Sequence, residues 1–207
     1  MKFDFAIPKN YRREFFLSLI YAILIIPLTF LLPFEASFEN GFIENFQVIM
    51  LVSAGLNSLY LRGQSTDEKI RAFDLLCALI FFLLAARELS YGGVFFLEWE
   101  DAEGRHYVPN SKQPWYPALN AVLAVYILFL VSMLRKIPLR QLFKIPVPMP
   151  LILLLLVGIF LSTAGDHEWL FAYHQSQVLE EVSECLMYGI SPVICRFYHE
   201  SLENFST

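Results

Sequence analysis

Three short stretches of this chain carry clustered ionisable side chains beside long apolar runs. They are Arg87–Tyr91, Asp166–Glu168 and His174–Glu184. Charged groups at membrane depth cost a few kcal/mol each on insertion scales, so they are rare there and mark functional sites. If the apolar runs cross a membrane, the three stretches predict one polar site in the outer half of the bundle.

The third stretch places polar side chains on one face of a helix. An α-helix turns by about 100° per residue. Five side chains therefore lie within about 80° of one another around the helix axis: His174, Gln177, Glu181, Glu184 and Tyr188. A polar face cannot contact lipid, so it must face the bundle interior or a water-filled cleft. Glu180, Glu181 and Glu184 lie too close together to ionise cheaply at once. We therefore expect a proton, a cation or Arg87 to compensate at least one of them.

Carboxylates combined with histidines are suitable ligands for divalent metals such as Zn, Mn, Fe, Mg or Ca. Such a metal would activate water against a lipid ester or a phosphodiester, and Arg87 would hold a phosphate. The candidate metal ligands are Glu44, Glu88, His167, His174, Glu181 and Glu184. The sequence contains neither an HExxH motif nor a paired-histidine box, so a divalent metal is a hypothesis based on residue type alone.

Two groups of residues would carry an enzymatic reaction at this site. The candidate catalytic residues are Glu88, Glu181, Glu184 and His174, and the candidate substrate-binding residues are Arg87, Tyr91, Gln177 and Asn120. A serine nucleophile is not indicated, because no GxSxG elbow surrounds any serine. The alternative without chemistry is an ion-pair network of Arg87 with Glu88 or Glu181 that fixes helix packing.

The elements that position these residues are predicted to be transmembrane helices. The composition is 57% hydrophobic and only 17% charged, whereas soluble domains carry about 25% charged residues. A helical span needs roughly 20 apolar residues, and such runs lie at about 15–34, 42–61, 71–91, 116–134, 148–164 and 176–197. The sequence therefore predicts an all-α polytopic bundle of six spans that forms one domain over residues 1–207. The outer loop at about 92–115 could form a lid.

The basic residues predict the orientation of the bundle. Twelve of the 15 fall on one side of the predicted membrane, where cytoplasmic loops are enriched in Lys and Arg: Lys2, Lys9, Arg12, Arg13, Arg62, Lys69, Arg71, Arg135, Lys136, Arg140, Lys144 and Arg196. The opposite loops are acidic, with Glu35, Glu39, Glu98, Glu100, Asp101, Glu103, Asp166 and Glu168. Both termini are therefore predicted to be cytoplasmic.

Several residues receive simpler predictions. Asp74 is expected to pair with Arg71, and His199 is expected to be an ordinary residue of the cytoplasmic tail. The three cysteines all lie inside predicted spans, where they are expected to be small buried hydrophobic residues rather than disulfide partners. No basic patch with interleaved aromatic residues indicates a nucleic-acid partner.

Two motifs carry a resemblance to a protein family. Arg87-Glu88-Leu89-Ser90-Tyr91-Gly92, followed by Glu180-Glu181-x-x-Glu184, resembles a group of uncharacterised bacterial multispanning proteins. That group carries a Glu/Arg-Glu-x-Ser-Trp/Tyr-Gly motif at the end of a span and a Glu-Glu-x-x-Glu motif in a later span. The resemblance implies a bacterial inner-membrane protein and supplies no activity.

Two classes of function stay open from the sequence. The first is a small intramembrane enzyme, with or without the divalent metal considered above, that acts on a lipid or a lipid-linked substrate at the outer leaflet. The second is a non-catalytic membrane protein whose polar cluster binds a lipid or a partner membrane protein.

Overall fold

The computed structural model describes residues 3–6, 9–38, 40–101 and 104–206, and the described chain is mostly helical. Its α-helices are α1 (Arg12–Leu31), α2 (Phe42–Gln64), α3 (Glu68–Glu88), α4 (Tyr116–Met133), α5 (Leu139–Leu142), α6 (Met149–Asp166) and α7 (Tyr173–Ser206). Three charged residues that contributed to the predicted orientation lie outside the described residues: Lys2, Glu39 and Glu103.

Two small strand pairs accompany the helices. The parallel pair joins β1 (Phe3–Asp4) to β4 (Val147–Pro148), and the antiparallel pair joins β2 (Leu97–Asp101) to β3 (Gly104–Tyr107). The antiparallel hairpin lies in the loop between α3 and α4, for which the sequence suggests a lid.

Each predicted span corresponds to one long helix, but the helices differ in how apolar they are. Four helical segments of the described chain are long and apolar enough to cross a membrane: Lys9–Leu31, Phe34–Gln64, Tyr116–Met133 and Met149–Asp166. The helices α3 and α7 do not meet that criterion, because charged residues interrupt both of them. In α3 they lie at the two ends, and in α7 the carboxylates of the polar stripe lie in its first half.

Helix α7 lies at the centre of the bundle and contacts α1, α2, α3 and α6. One buried cluster joins α1, α2 and α7 through Ile25, Ile43 and Leu179. Close packing of α6 on α7 requires glycine at position 165, where an added Cβ would lie 2.7 Å from the backbone nitrogen of Glu180. This contact fixes the position of the α7 carboxylates along the helix axis relative to the end of α6.

The partner of Asp74 differs from the prediction. His199 Nδ1 lies 3.0 Å and 3.1 Å from the two carboxylate oxygens of Asp74, and both side chains are buried. The predicted pairing with Arg71 is therefore wrong, since Arg71 is exposed and lies at a cavity rim instead. Asp74 points toward α7, on the face of α3 that packs into the bundle. His199 is a buried residue of α7 that packs against α3, rather than a free tail residue.

Candidate functional site

Four side chains from the end of α3 and the middle of α7 form one hydrogen-bonded group, which we call the Arg87 cluster: Arg87, Glu88, Glu184 and Tyr188. The Arg87 guanidinium donates to Glu88 Oε1 from Nε (3.0 Å) and Nη2 (2.7 Å), and Nη2 also reaches Glu184 Oε1 at 3.2 Å. One cation therefore bridges two carboxylates that are 96 positions apart in the chain.

Tyr188 closes the cluster from one helical turn below Glu184. Its hydroxyl donates to Glu88 Oε1 at 2.7 Å and lies 3.2 Å from Glu184 Oε2, while accepting from Arg87 Nη2 at 2.6 Å. A hydroxyl has only one proton, so the longer contact to Glu184 is the weaker of its two bonds to carboxylates. Tyr188 is 5% exposed, and it therefore holds the two carboxylates in a fixed arrangement.

Exposure within the cluster is uneven. The side chains of Glu88 and Glu184 are 7% and 12% exposed, whereas that of Arg87 is 49% exposed. Burying two carboxylates is costly unless each is paired and hydrogen-bonded, and both of them meet this condition. The half-exposed guanidinium is the part of the cluster that an incoming ligand can reach.

Glu181 lies beside the cluster and has a different partner. Gln47 of α2 donates from Nε2 to Glu181 Oε2 and to the backbone oxygen of Glu181, at 2.9 Å each. Gln47 is fully buried, so this contact lies inside the helix bundle. The polar face of α7 therefore turns toward α2 and α3, as the predicted stripe requires.

The carboxylates near this site outnumber the cations. Glu44, Glu88, Glu180 and Glu184 all lie close enough to repel a charge on Glu181. Among the residues that the structure describes, Arg87 is the cation that interacts with Glu180 and Glu184, and Glu88 and Glu184 already share its hydrogen bonds. The site therefore has a surplus of negative charge that a proton or a bound cation would offset.

The chain leaves α3 through a strained turn. Ser90 and Tyr91 have φ angles of 44° and 52°, and Gly92 has a φ of 94°. Positive φ is uncommon for residues other than glycine and is found at functional and tightly constrained positions. Asn110 stabilises the turn by donating from Nδ2 to the Ser90 backbone oxygen at 2.7 Å. This turn ends α3 directly after Glu88 and brings the α3–α4 loop over the end of the helix.

The structure places the two candidate histidines elsewhere. His174 stacks on Phe34, with ring centroids 4.0 Å apart and an interplanar angle of 17°. His167 lies at the exposed end of α6, where its Nδ1 is 3.1 Å from Asp166 Oδ2. Both rings therefore interact with neighbours outside the Arg87 cluster.

The remaining candidates are also dispersed. Gln177 donates from Nε2 to Tyr173 Oη at 3.0 Å, Asn120 is exposed on α4, and Tyr91 lines a cavity between α3 and α4. Glu44 accepts a hydrogen bond from the backbone nitrogen of Asn40 at the start of α2. Of the residues proposed for binding substrate, Arg87 is the one that belongs to the cluster.

The predicted metal-ligand set is not assembled. Within the residues that the structure describes, no three or more His, Cys, Asp or Glu side chains are arranged to hold a metal ion. The physical reason is that the two histidines contact neighbours outside the Arg87 cluster, while Arg87 and Tyr188 already bond to oxygens of Glu88 and Glu184. The structure therefore does not bring Glu44, Glu88, His167, His174, Glu181 and Glu184 together as one metal site.

An apolar cavity reaches this region from the side of the bundle. It lies between α1, α2 and α7, has a volume of about 280 Å³, and is lined among others by Tyr21, Phe46 and Cys185. Cys185 interacts with the side chains of Gln47 and Glu181, so the inner wall of the cavity adjoins the Gln47–Glu181 contact. An apolar chain in this cavity would therefore end beside a polar group.

Two residues that build this site are not among the catalytic, binding or metal-ligating candidates predicted from the sequence. Tyr188 belongs to the predicted stripe, four positions after Glu184, and Gln47 is a polar residue inside the second predicted span. The position of Tyr188 within the stripe was an available signal. The choice of Glu181 as the partner of Gln47 depends on how α2 and α7 pack.

Comparisons with protein-family models, with curated proteins and with solved structures found no match. The resemblance of the two motifs to bacterial inner-membrane proteins therefore stays a prediction.

Proposed function

We propose that this chain is a six-span protein of a bacterial inner membrane with both termini in the cytoplasm. Four described helical segments have the length and composition of spans, and α3 and α7 are packed among them. In this proposal their charged residues face the bundle interior, which is how such residues are tolerated in membranes. The distribution of Lys and Arg supports the orientation and places the Arg87 cluster toward the outer leaflet.

Within that bundle, we propose that the Arg87 cluster and Glu181 form the active site of an enzyme that acts on a lipid or a lipid-linked substrate. The observation that carries the proposal is the surplus of carboxylates beside one half-exposed arginine. A structural ion pair needs one carboxylate for each cation, and burying further carboxylates costs stability without improving packing. Acid–base chemistry needs such carboxylates in two protonation states.

The roles follow from the contacts of each group. An ionised carboxylate of the cluster takes a proton from water as the water oxygen attacks an ester carbonyl or a phosphorus atom. A protonated carboxyl, for which Glu181 is our candidate, returns a proton to the departing oxygen, so the net reaction is hydrolysis. The exposed side of Arg87 binds a phosphate or a carbonyl oxygen of the substrate. The residues present do not fit a metal ion, so no step passes through one.

The apolar cavity between α1, α2 and α7 supports a lipid substrate. Its lining includes Leu17, Phe46 and Met50, which suit an acyl chain entering from the bilayer. Because Cys185 lines the cavity and also interacts with Glu181, the head of such a lipid would lie near the carboxylates.

The test is lipid turnover by the purified protein in liposomes made from a bacterial lipid extract. Mass spectrometry should detect a lipid species that is consumed by the wild type and preserved by Glu184→Gln. General acid–base catalysis contributes about 10²–10⁴-fold, so the loss should lie in that range. The matched control is Glu98→Gln, because Glu98 is an exposed carboxylate in the α3–α4 loop. Equal turnover by wild type and Glu184→Gln would contradict the assignment.

A second candidate is a non-catalytic protein that binds a lipid or a partner membrane protein. The observation that favours it is the α3–α4 loop, where Phe95, Leu97 and Trp99 are each at least 50% exposed. Aromatic and apolar side chains of this kind can lie at a membrane interface or contact a partner. Unchanged lipid composition, together with a stoichiometric lipid or subunit that copurifies with the wild type, would favour this candidate.

A further inference from the structure

A furrow runs along the seam between α3 and α4, away from the Arg87 cluster. Helix α4 is packed loosely, since Met133 is its one buried residue. One end of this seam is formed by the start of α3 and the end of α4, and it contains a cavity of about 340 Å³. The residues that line this cavity include Arg62, Arg71, Lys136, Glu68, Phe129 and Met133. Three basic side chains and one acidic side chain make this end of the seam electropositive.

The furrow continues from this basic end as an apolar surface. Phe129 also lines the next cavity, of about 460 Å³, together with Val125 and Tyr126. Tyr126 and Val122 in turn line a third cavity of about 370 Å³, which extends to the outer loop. Tyr126 crosses the seam by donating from its hydroxyl to the Leu79 backbone oxygen at 2.8 Å. Each cavity therefore shares a lining residue with the next, and the three follow one another along α4.

The furrow is long enough to cover the depth of one leaflet of a membrane. From residue 119 to residue 133 the helix rises roughly 21 Å at 1.5 Å per residue. Half of a typical hydrocarbon core is about 15 Å. An acyl chain that starts at the basic end would therefore be covered by the seam over the depth of its leaflet.

The basic end of the seam also contains a buried polar atom of Arg62. Its Nε is buried and has no hydrogen-bond partner among the described residues. A buried donor without an acceptor costs about as much as a lost hydrogen bond. A ligand oxygen at the basic end would provide an acceptor close to this guanidinium.

We propose that the α3–α4 seam binds an anionic glycerophospholipid from the leaflet at which Arg62 and Lys136 lie. Its phosphate is held by Arg62, Arg71 and Lys136, and its acyl chain lies along Phe129, Tyr126 and Val125. Basic pockets between transmembrane helices are typical sites for anionic head groups, and the guanidinium fork suits a phosphate. The site is separate from the Arg87 cluster and does not depend on the proposed hydrolysis.

The experiment titrates the purified full-length protein with phosphatidylglycerol or phosphatidylcholine and measures bound lipid by native mass spectrometry. Wild type should prefer phosphatidylglycerol, and Arg71→Gln/Lys136→Gln should bind it about 30-fold more weakly, which corresponds to about 2 kcal/mol for two basic groups. The matched control is Lys69→Gln/Arg135→Gln. It removes two exposed positive charges from the same end of the bundle without altering the cavity lining.

A second pair of variants tests the apolar part of the seam. Val125→Trp should fill the middle cavity and weaken binding of phosphatidylglycerol, whereas Val131→Trp, at an exposed position of α4 outside the cavity lining, should not. Equal binding of both lipids, or equal effects of the double variant and its control, would overturn the proposal. A helical partner protein that copurifies with wild type and is lost with Val125→Trp, while lipid binding is unchanged, would also overturn it.

Discussion

Substitution of Glu181 by glutamine separates a structural role for the carboxylates from a chemical one. Gln47 donates to Glu181 Oε2 at 2.9 Å, and a glutamine at position 181 keeps an acceptor oxygen for this bond. A hydrogen bond to a charged group is worth about 1.5–3 kcal/mol and a neutral one about 1 kcal/mol. The bond from Gln47 therefore weakens by about 1 kcal/mol where Glu181 is ionised, and it stays a bond between neutral groups where Glu181 is protonated, as proposed. The second bond, from Gln47 to the backbone oxygen of Glu181, is unaffected.

The same substitution also removes the charge repulsion that the ionised form of Glu181 experiences. Glu181 and Glu184 are i, i+3 neighbours on α7, and Glu44, Glu88 and Glu180 add further repulsion. Two like charges roughly 8 Å apart repel by about 2 kcal/mol at an effective dielectric of about 20. The two effects oppose each other, so Glu181→Gln should leave the free energy of unfolding unchanged within about 1 kcal/mol or increase it. Arg87 keeps its partners, because these are Glu88 and Glu184 rather than Glu181.

Thermal unfolding in detergent and lipid turnover, measured side by side, decide between the two roles. Glu181→Gln should unfold like wild type and lose turnover, because glutamine cannot donate a proton to a leaving group. The comparator is Tyr188→Phe, which removes a buried hydroxyl bonded to both Arg87 and Glu88. It should cost about 1–3 kcal/mol of stability. A Glu181→Gln protein that is clearly destabilised and retains full turnover would refute the reasoning.

The remaining predictions concern topology and helix packing. Reporter fusions at Lys69 and Lys136 should report a cytoplasmic location and a fusion at Lys112 the opposite side; a periplasmic signal at Lys136 would contradict the six-span topology. Gly165→Ala should lower the unfolding temperature by an amount equivalent to about 1–3 kcal/mol, because its Cβ would lie 2.7 Å from backbone atoms of α7. Gly63→Ala, where an added Cβ meets nothing within 4 Å, is the control and should unfold like wild type; equal effects would show that α6 does not pack on α7 as described.

The helices and the polar face of α7 could be predicted from the sequence, because both depend on spacing within one segment. Long apolar runs select helices in a membrane, where every backbone polar group must be bonded internally. The positions of Glu181, Glu184 and Tyr188 on one helix face follow from the 3.6-residue repeat alone. A consistent stripe therefore predicted that these three side chains would face the same neighbours.

The partners of these residues were decided by the tertiary structure. Asp74 and His199 are 125 positions apart, and no local pattern relates the rotation of α3 to that of α7. The rotation of α7 about its axis, relative to α3, also brings Glu184 and Tyr188, rather than Glu181, to Arg87. It depends on side-chain packing between helices, which periodicity within one helix does not contain.

The contacts of the two histidines at the helix ends could not be predicted from sequence spacing either. His167 and His174 flank the short connection between α6 and α7, and their directions depend on how the chain turns there. The contact of His174 with Phe34 removes it from the carboxylates to which its position in the stripe would assign it. Residue type and spacing identified which helices carry polar groups, but the loops and the packing of the helices determined which of those groups meet.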